Sequence, residues 1–560
     1  MIQFDEDKQN DRIDMLHKKE EEDLASTLSE KYGVSYLDLN AHPINIDALR
    51  VLKEDAARKA EIAVFNIVDK KIEVAVLSPE SERTKEAIEE LKSRGYVPEI
   101  FMVSHASLSK VWERYEDLSY AFETKAGALD ISNEEILLIL SKVKYLKDVQ
   151  VEIQTILGQK KAYRVSKILE IILAGGIALH ASDIHLEPSE REVRLRYRLD
   201  GVLTDILEFD RETFDLLLSR LKLVSNLKLN IREKAQDGRF SIKLADSAVE
   251  VRVSLLPGEN GESVVLRVLS PESTLVTLDH HDIHPKLLVL IKREIKKPNG
   301  MILTTGPTGS GKTTTLYSIL KEIYSPDIKI ITIENPIEYH LKGIVQTQVD
   351  EESGYNFAEG LRSSLRQDPD VIMVGEIRDK ETATTAVNAS LTGHLVLSTL
   401  HTNNAAGTFP RLLDLGINPK VVSSAINIAI AQRLVRKLCD KCKKEVVLDG
   451  ESKVLFDKVL DNIVDKSYLD GVQREKVWEA VGCPECNNSG YNDRLNIFEA
   501  ILVNDKIEKA VIENPSERDI EIASRDQGLL NLVEDGFLKI LSGQTSLEEL
   551  RRVVDLSAVE

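Results

Sequence analysis

The run Gly306, Pro307, Thr308, Gly309, Ser310, Gly311, Lys312, Thr313 has the pattern G-x-x-x-x-G-K-S/T, which accident produces in a chain of this length only about 2% of the time at average residue frequencies. Its chemistry is phosphate binding. Gly306, Gly309 and Gly311 allow consecutive backbone N–H groups to point inward at phosphate oxygens. Lys312 reaches the β and γ oxygens of a nucleoside triphosphate, and Thr313 offers its hydroxyl to Mg2+. The context is the one this mechanism requires: the apolar stretch Met301 to Thr305 precedes the loop, and Leu316, Ile319, Leu320 and Ile323 share one face of the helix that follows. ATP with Mg2+ is the expected ligand, and Thr314 completes the binding set.

Two further segments offer carboxylates. Asp370 to Glu376, DPDVIMVGE in its wider setting, is an apolar β-run ending in Glu376, which can hold or polarise the metal. Activating water needs an acid near the γ-phosphate, and ITIENPIEY, Ile331 to Tyr339, supplies Glu334 and Glu338. TGHLVLSTLHT, Thr392 to Thr402, is an apolar strand with His394 and His401 at its ends. Either histidine alone reads as structural.

Cys439-x-x-Cys442 and Cys483-x-x-Cys486 are two thiolate knuckles. Four soft ligands in a reducing compartment suit a tetrahedral structural Zn2+, which keeps no open position for chemistry. The spacing between the pairs encloses a helical insert.

The elements that must position these groups follow from composition and period. A chain of 560 residues is too long for one ordinary core and is expected to hold three or four domains. With 42% hydrophobic and 30% charged residues and a net charge of -20, it reads as soluble, with no broad electrostatic grip on nucleic acid or anionic lipid. No uncharged apolar run approaches the roughly 18 residues of a membrane helix, and MIQFDEDKQN is acidic where an export signal is basic. A cytoplasmic protein without a transmembrane segment and without direct nucleic-acid binding is expected.

The domains read as follows: a charged tail over 1–23; a small α+β module over 24–117, with a helix at Thr84 to Arg94 and strands at Ile72 to Leu77 and Glu99 to Val103; a helical linker over 118–158, flexible at Lys125 to Ala128; an α+β domain with an antiparallel sheet over 159–285, with strands at Glu192 to Tyr197 and Val249 to Leu255; and an α/β domain over 286–560. The last has a βα rhythm, with strands at Met301 to Thr305, Ile328 to Ile333 and Val371 to Val374, which implies a parallel sheet wound with helices, and it contains the tetracysteine subdomain over 433–500.

Taken in order, these segments resemble the secretion ATPase superfamily of type II secretion and type IV pilus machines. GPTGSGKTT is similar to its Walker A, ITIENPIEY to its aspartate box, DPDVIMVGEIRD to its atypical Walker B and TGHLVLSTLHT to its histidine box. HASDIHLEP, RYRLDG and AQDGRFS resemble its PAS-like second N-terminal domain, and residues 24–117 resemble its platform-docking module. The resemblance implies a RecA-like P-loop domain with a zinc-binding subdomain, preceded by a PAS-like domain and a small N-terminal α+β domain. It implies that Glu338 is the catalytic glutamate, that Glu376 coordinates the magnesium water shell, that His401 or His394 senses the γ-phosphate and that Arg362 and Arg366 stabilise its charge. Arginines from the PAS-like domain are also implied, with Arg198 ranked first among Arg196, Arg198, Arg220 and Arg239. Asn335 stands where the family has Asp, which puts a metal role for Glu334 in doubt.

The tetracysteine subdomain and the extra N-terminal module place the resemblance with assembly and type II secretion ATPases rather than retraction ATPases. It implies a homo-hexamer acting on an inner-membrane platform protein and its cytoplasmic adaptor, with ATP between the PAS-like and RecA-like domains and motion through the linker near Pro271 to Pro285. No Arg-Leu-Gly repeat is present near the N-terminus, so cyclic dinucleotide binding by that mode is not expected. A P-loop nucleic-acid translocase is the alternative reading, opposed by the net acidity and the flanking domains.

Overall fold

The computed structural model describes residues 21–39, 42, 44–49, 51–68, 70–115, 128–129, 133–157, 161–244, 248–269, 277–351 and 353–557. Most of the expected charged tail, the flexible segment at Lys125 to Gly127 and the Pro271 end of the interdomain linker lie outside the described residues. The chain divides into two compact units, 1–130 with 154–170, and 131–153 with 171–560. The expected RecA-like domain falls in the second, as does the expected PAS-like domain from residue 171 onward, its first residues, 159–170, belonging to the first.

The first unit holds strands Ser35–Tyr36 (β1), Ile62–Val68 (β2), Lys71–Val76 (β3) and Val97–Met102 (β4) in the order β1-β4-β3-β2. Its helix Glu82–Ser93 buries Thr84, Ala87, Ile88 and Leu91, a stripe at the three- and four-residue spacing that puts one helical face on a sheet. Trp112 closes this core and satisfies its indole N–H on the Ile62 carbonyl at 3.1 Å, as a buried tryptophan requires.

In the second unit, strands Asp183–Pro188 (β5), Glu192–Leu199 (β6), Val202–Asp210 (β7), Gln236–Lys243 (β8), Ala248–Gly258 (β9) and Gly261–Leu269 (β10) form an antiparallel sheet in the order β8-β9-β10-β5-β6-β7. Along β9, Val249, Val251, Val253 and Leu255 are buried while Glu250, Arg252 and Ser254 face the other way, the two-residue period of a half-buried strand. The helix Arg211–Val224 is capped by Asp210, which accepts the Thr213 N–H at 2.8 Å.

The largest sheet contains Gly300–Thr305 (β11), Ile330–Glu334 (β12), Val345–Gln348 (β13), Val371–Val374 (β14), Leu395–Leu400 (β15), Ile426–Leu438 (β16) and, beyond the short pair Lys444–Val447 (β17) and Lys476–Glu479 (β18), Tyr491–Leu502 (β19). The order is β13-β12-β14-β15-β11-β16-β19. All neighbours run parallel except β16 and β19. Alternate residues of β11 serve two cores: Met301 and Leu303 pack with Ile333, Ile372 and Val396, whereas Ile302 packs with Leu316, Ile319 and Leu320 of the helix Lys312–Ile323. Burial on both faces explains the unbroken apolar runs. Among the described residues no helix is long and apolar enough to cross a membrane.

Candidate functional site

The chain leaves β11 at Thr305 and enters the helix Lys312–Ile323 through a loop in which Gly306, Gly309 and Gly311 have φ of 151°, 79° and 86°, values that glycine adopts without strain. Gly311 caps the helix with no side-chain hydrogen bond, so no capping side chain takes up the first-turn N–H groups, as an anion site requires. Pro307, Thr308 and Gly309 are exposed, while Ser310 Oγ is buried with no hydrogen-bond partner among the described residues. Lys312 Nζ donates to the carbonyls of Gly306 at 2.8 Å and Pro307 at 3.0 Å. Burial pushes its pKa down to about 8, against the opposing pull of Glu376 and with the help of Arg433. A buried, charged lysine, an orphaned hydroxyl and an uncapped helix start form a donor set that fits a polyphosphate.

The C-terminal ends of β11, β14 and β15 lie side by side, because the sheet order makes β15 the neighbour of both. Glu376 follows β14 and His401 follows β15, and His401 Nε2 lies 3.5 Å from Glu376 Oε2. Arg378 Nε donates to the same oxygen at 2.5 Å. Burial and the charge of Lys312 lower the His401 pKa, opposed by Glu376. Lys312, Glu376 and His401 thus share one electrostatic neighbourhood.

His394 does not. It precedes β15, its carbonyl accepting the Gly300 N–H at 3.2 Å at the start of β11. At about 3.3 Å per strand residue, roughly 20 Å of β-strand separates it from His401.

The aspartate-box segment follows β12. Glu334 is buried and accepts from Tyr317 Oη, from Thr332 Oγ1 at 2.5 Å and from Gln346 Nε2 at 3.0 Å. A carboxylate so fully engaged is a structural acid, and Asn335 beside it is exposed. Glu338 is only partly buried, and Arg252 Nη1 approaches its Oε2 at 3.4 Å while Arg252 Nη2 donates to the Ile337 carbonyl at 2.8 Å.

The arginine that reaches the aspartate box from the antiparallel sheet is therefore Arg252, not Arg198. Arg198 pairs with Asp183 at 3.2 Å within its own sheet, and Arg196 with Glu187 at 2.5 Å. Strand period alone places Arg252 on the outward face of β9; its target depends on how that sheet meets the next. Arg362 is forked between Glu359 and Glu381, and Arg366 donates to Ser363 Oγ at 3.0 Å. Glu359 and Ser363 belong to the helix Phe357–Leu365 and Glu381 to the neighbouring helix Lys380–Leu391.

The antiparallel β16 and β19 run out into the two cysteine pairs. Sγ–Sγ separations are 3.9 Å for Cys439–Cys483, 3.8 Å for Cys442–Cys486 and 3.7 Å for Cys483–Cys486, and all four sulfurs lie within 4.8 Å of one another. A tetrahedron with Zn–S bonds near 2.3 Å has edges of about 3.8 Å, whereas a disulfide would need about 2.05 Å. The donor set fits zinc. Cys486 Sγ also accepts the N–H groups of Cys483 and Gly490, each at 3.2 Å. The insert holds the expected helix, Gly450–Asn462, whose Phe456 packs at a tilt against Phe537 with ring centres 4.6 Å apart. Just past the second pair, Asn487 Oδ1 accepts the Leu146 N–H at 2.9 Å, and Asp493 N–H donates to Asp200 in the β6–β7 turn at 3.2 Å.

A family profile described as "Type II/IV secretion system protein" matches residues 158–552. The chain belongs to that family. This secretion ATPase is 36% identical over 539 residues to the type IV pilus assembly ATPase PilB of Myxococcus xanthus, across 95% of this chain and 91% of the relative. It is 44% identical over 389 residues to the type II secretion system protein E of Aeromonas hydrophila, across 70% and 75% of the two chains. The crystal structure of the pilus retraction motor PilT with bound ADP aligns over 68% of this chain and 95% of that one, at 28% identity and a TM-score of 0.46. An "MshEN domain" profile matches residues 32–120, overlapping the first α+β module. The secretion ATPase is an ATP hydrolase of the class that serves type II secretion and type IV pilus assembly, and the nucleic-acid translocase reading is not favoured.

Proposed function

We propose that this secretion ATPase is a cytoplasmic homo-hexameric motor, peripheral at the inner face of the cytoplasmic membrane, that passes work to an inner-membrane platform protein and its adaptor. The observation that carries the reading is the meeting of Lys312, Glu376 and His401 at one sheet edge, with Glu338 held by an arginine of the second domain. Residues Gly306 to Thr314 would hold the triphosphate, Thr313 and Glu376 the magnesium and its water shell, and His401 the γ-phosphate side. Mg2+ would neutralise phosphate charge there. Glu338 would take the proton of the attacking water, and Arg362 and Arg366 would serve charge on the γ-phosphate. Loss of that phosphate releases Lys312 and His401 from a shared ligand, so a closed arrangement of the two domains is favoured before hydrolysis and not after.

The test is sedimentation and ATPase measurement with the platform protein's cytoplasmic domain added. Hexamers whose turnover rises with it support the motor; turnover indifferent to it argues for a different partner.

The tetracysteine cluster would hold a structural Zn2+ in four thiolates. Metal analysis of purified protein is expected to return about one Zn2+ per chain, and Cys442→Ser to lose most of it. Protein free of zinc yet fully folded would remove this assignment.

A further inference from the structure

Behind the phosphate loop runs a chain of buried hydrogen bonds that returns to the helix from which it starts. Thr315 Oγ1 donates to Gln432 Oε1 at 2.7 Å, Gln432 Nε2 to Asn496 Oδ1 at 2.6 Å, and Asn496 Nδ2 to the His281 carbonyl at 3.2 Å. His281 Nε2 is 2.7 Å from Ser318 Oγ, whose proton is given to the Thr314 carbonyl at 3.0 Å; His281 is therefore the donor. All five side chains are at most 9% exposed. Burial pushes the His281 pKa down to about 4, so the ring is neutral, and its donors all point one way round, the arrangement in which hydrogen bonds reinforce one another.

Gln432 stands where this ring meets the loop. A Cβ on Gly311 would come within 2.6 Å of Gln432 Nε2, and one on Gly306 within 2.7 Å of the Gln432 carbonyl oxygen. One residue thus abuts both ends of the loop, its amide under the helix start and its carbonyl under the strand exit. Its neighbour Arg433 donates back to that carbonyl at 2.9 Å. The ring also enlists His281, twelve residues past Leu269, where β10 ends, on the segment that joins the two domains of the second unit.

We infer that Gln432 is a positioning residue for the phosphate loop, held in register by the ring through Asn496, His281 and Ser318. The inference rests on reading Gly306 to Thr313 as the ATP site. The ring's role is to fix where Lys312 and the loop N–H groups stand, and displacements near 1 Å at a reacting centre lower rates by up to about a hundredfold.

The test uses the full chain, Mg-ATP, and four variants: Gln432→Ala, Ser318→Ala, their double, and Lys312→Ala. Gln432→Ala is expected to lower kcat per folded site roughly tenfold or more with the oligomeric state retained, alongside the fall in melting temperature that two lost buried hydrogen bonds bring. Ser318→Ala, three links away, is expected to lower kcat about threefold, the effect of one lost hydrogen bond, and the double variant to resemble Gln432→Ala alone rather than the product of the two. A purely structural glutamine would lower the melting temperature and leave kcat per folded site unchanged, and that result overturns the inference. Should Gln432→Ala fail to fold, Ser318→Ala decides: an unchanged kcat per folded site overturns the inference, and a fall in kcat per folded site supports it. If Lys312→Ala turns over ATP normally, the reading of the loop itself fails, whatever the glutamine does.

Discussion

Lys312→Ala is expected to lower kcat/KM for ATP by about a thousandfold, the upper range for losing one preorganised donor from a charge-stabilising site. The lysine is buried, shares its surroundings with Glu376 and His401, and lies on loop carbonyls within reach of the space the N–H groups face. Removing it deletes a full charge where the dielectric is low, so neither water nor a mobile side chain replaces it. The wild type carries a second signature. With burial setting the free lysine near pH 8, the charged form that binds ATP dominates below that value and is lost above it. Measured by fluorescent nucleotide titration, ATP affinity should be flat up to about pH 8 and then fall about tenfold per pH unit, one proton per site. Lys312→Ala should show weak binding without that slope. Normal turnover by the variant would remove the loop from the site.

Glu338→Gln is expected to lower kcat by about a hundred- to ten-thousandfold, the range for losing a positioned general base, while ATP binds within a few-fold of wild type. The glutamine keeps the size and one acceptor but takes no proton. Single-turnover hydrolysis beside equilibrium binding separates the two effects. Arg252→Ala should lower kcat less, and the double variant should show little further loss, because the arginine acts through the carboxylate it holds at 3.4 Å. A parental rate in Glu338→Gln would shift the role to Glu376, since Glu334 has its oxygens committed to Tyr317, Thr332 and Gln346.

What was legible in the sequence is what the chain encodes within a few residues. The phosphate loop, the strands around it, the helix facing the sheet with Leu316 and Ile319 and the two cysteine pairs all carry local spacing that physics reads directly. The antiparallel and parallel sheets followed from the two-residue period and the βα rhythm. Relations between distant segments were not legible. His394 and His401 look equivalent as ends of one motif, yet a parallel strand puts one end at the ligand edge and the other at the opposite edge. Arg252 could be seen to face outward, but its meeting with Glu338 is set by the packing of one sheet beside another. Gln432, in an apolar run, carries no mark of the loop above it until β16 is placed next to β11. The β17–β18 pair escaped because its strands are four residues each, too short for a period to emerge.

The hydrogen bond from Leu146 to Asn487 joins residues 341 positions apart. On a ribosome adding about 5–20 residues per second, Leu146 is made roughly 20–70 seconds before its acceptor exists. This contact therefore cannot form until the phosphate-loop sheet through β16 has been synthesised: strands β11 to β16 are available to pair first, β19 joins them later, and Leu146 finds its acceptor only once the second cysteine pair has been made.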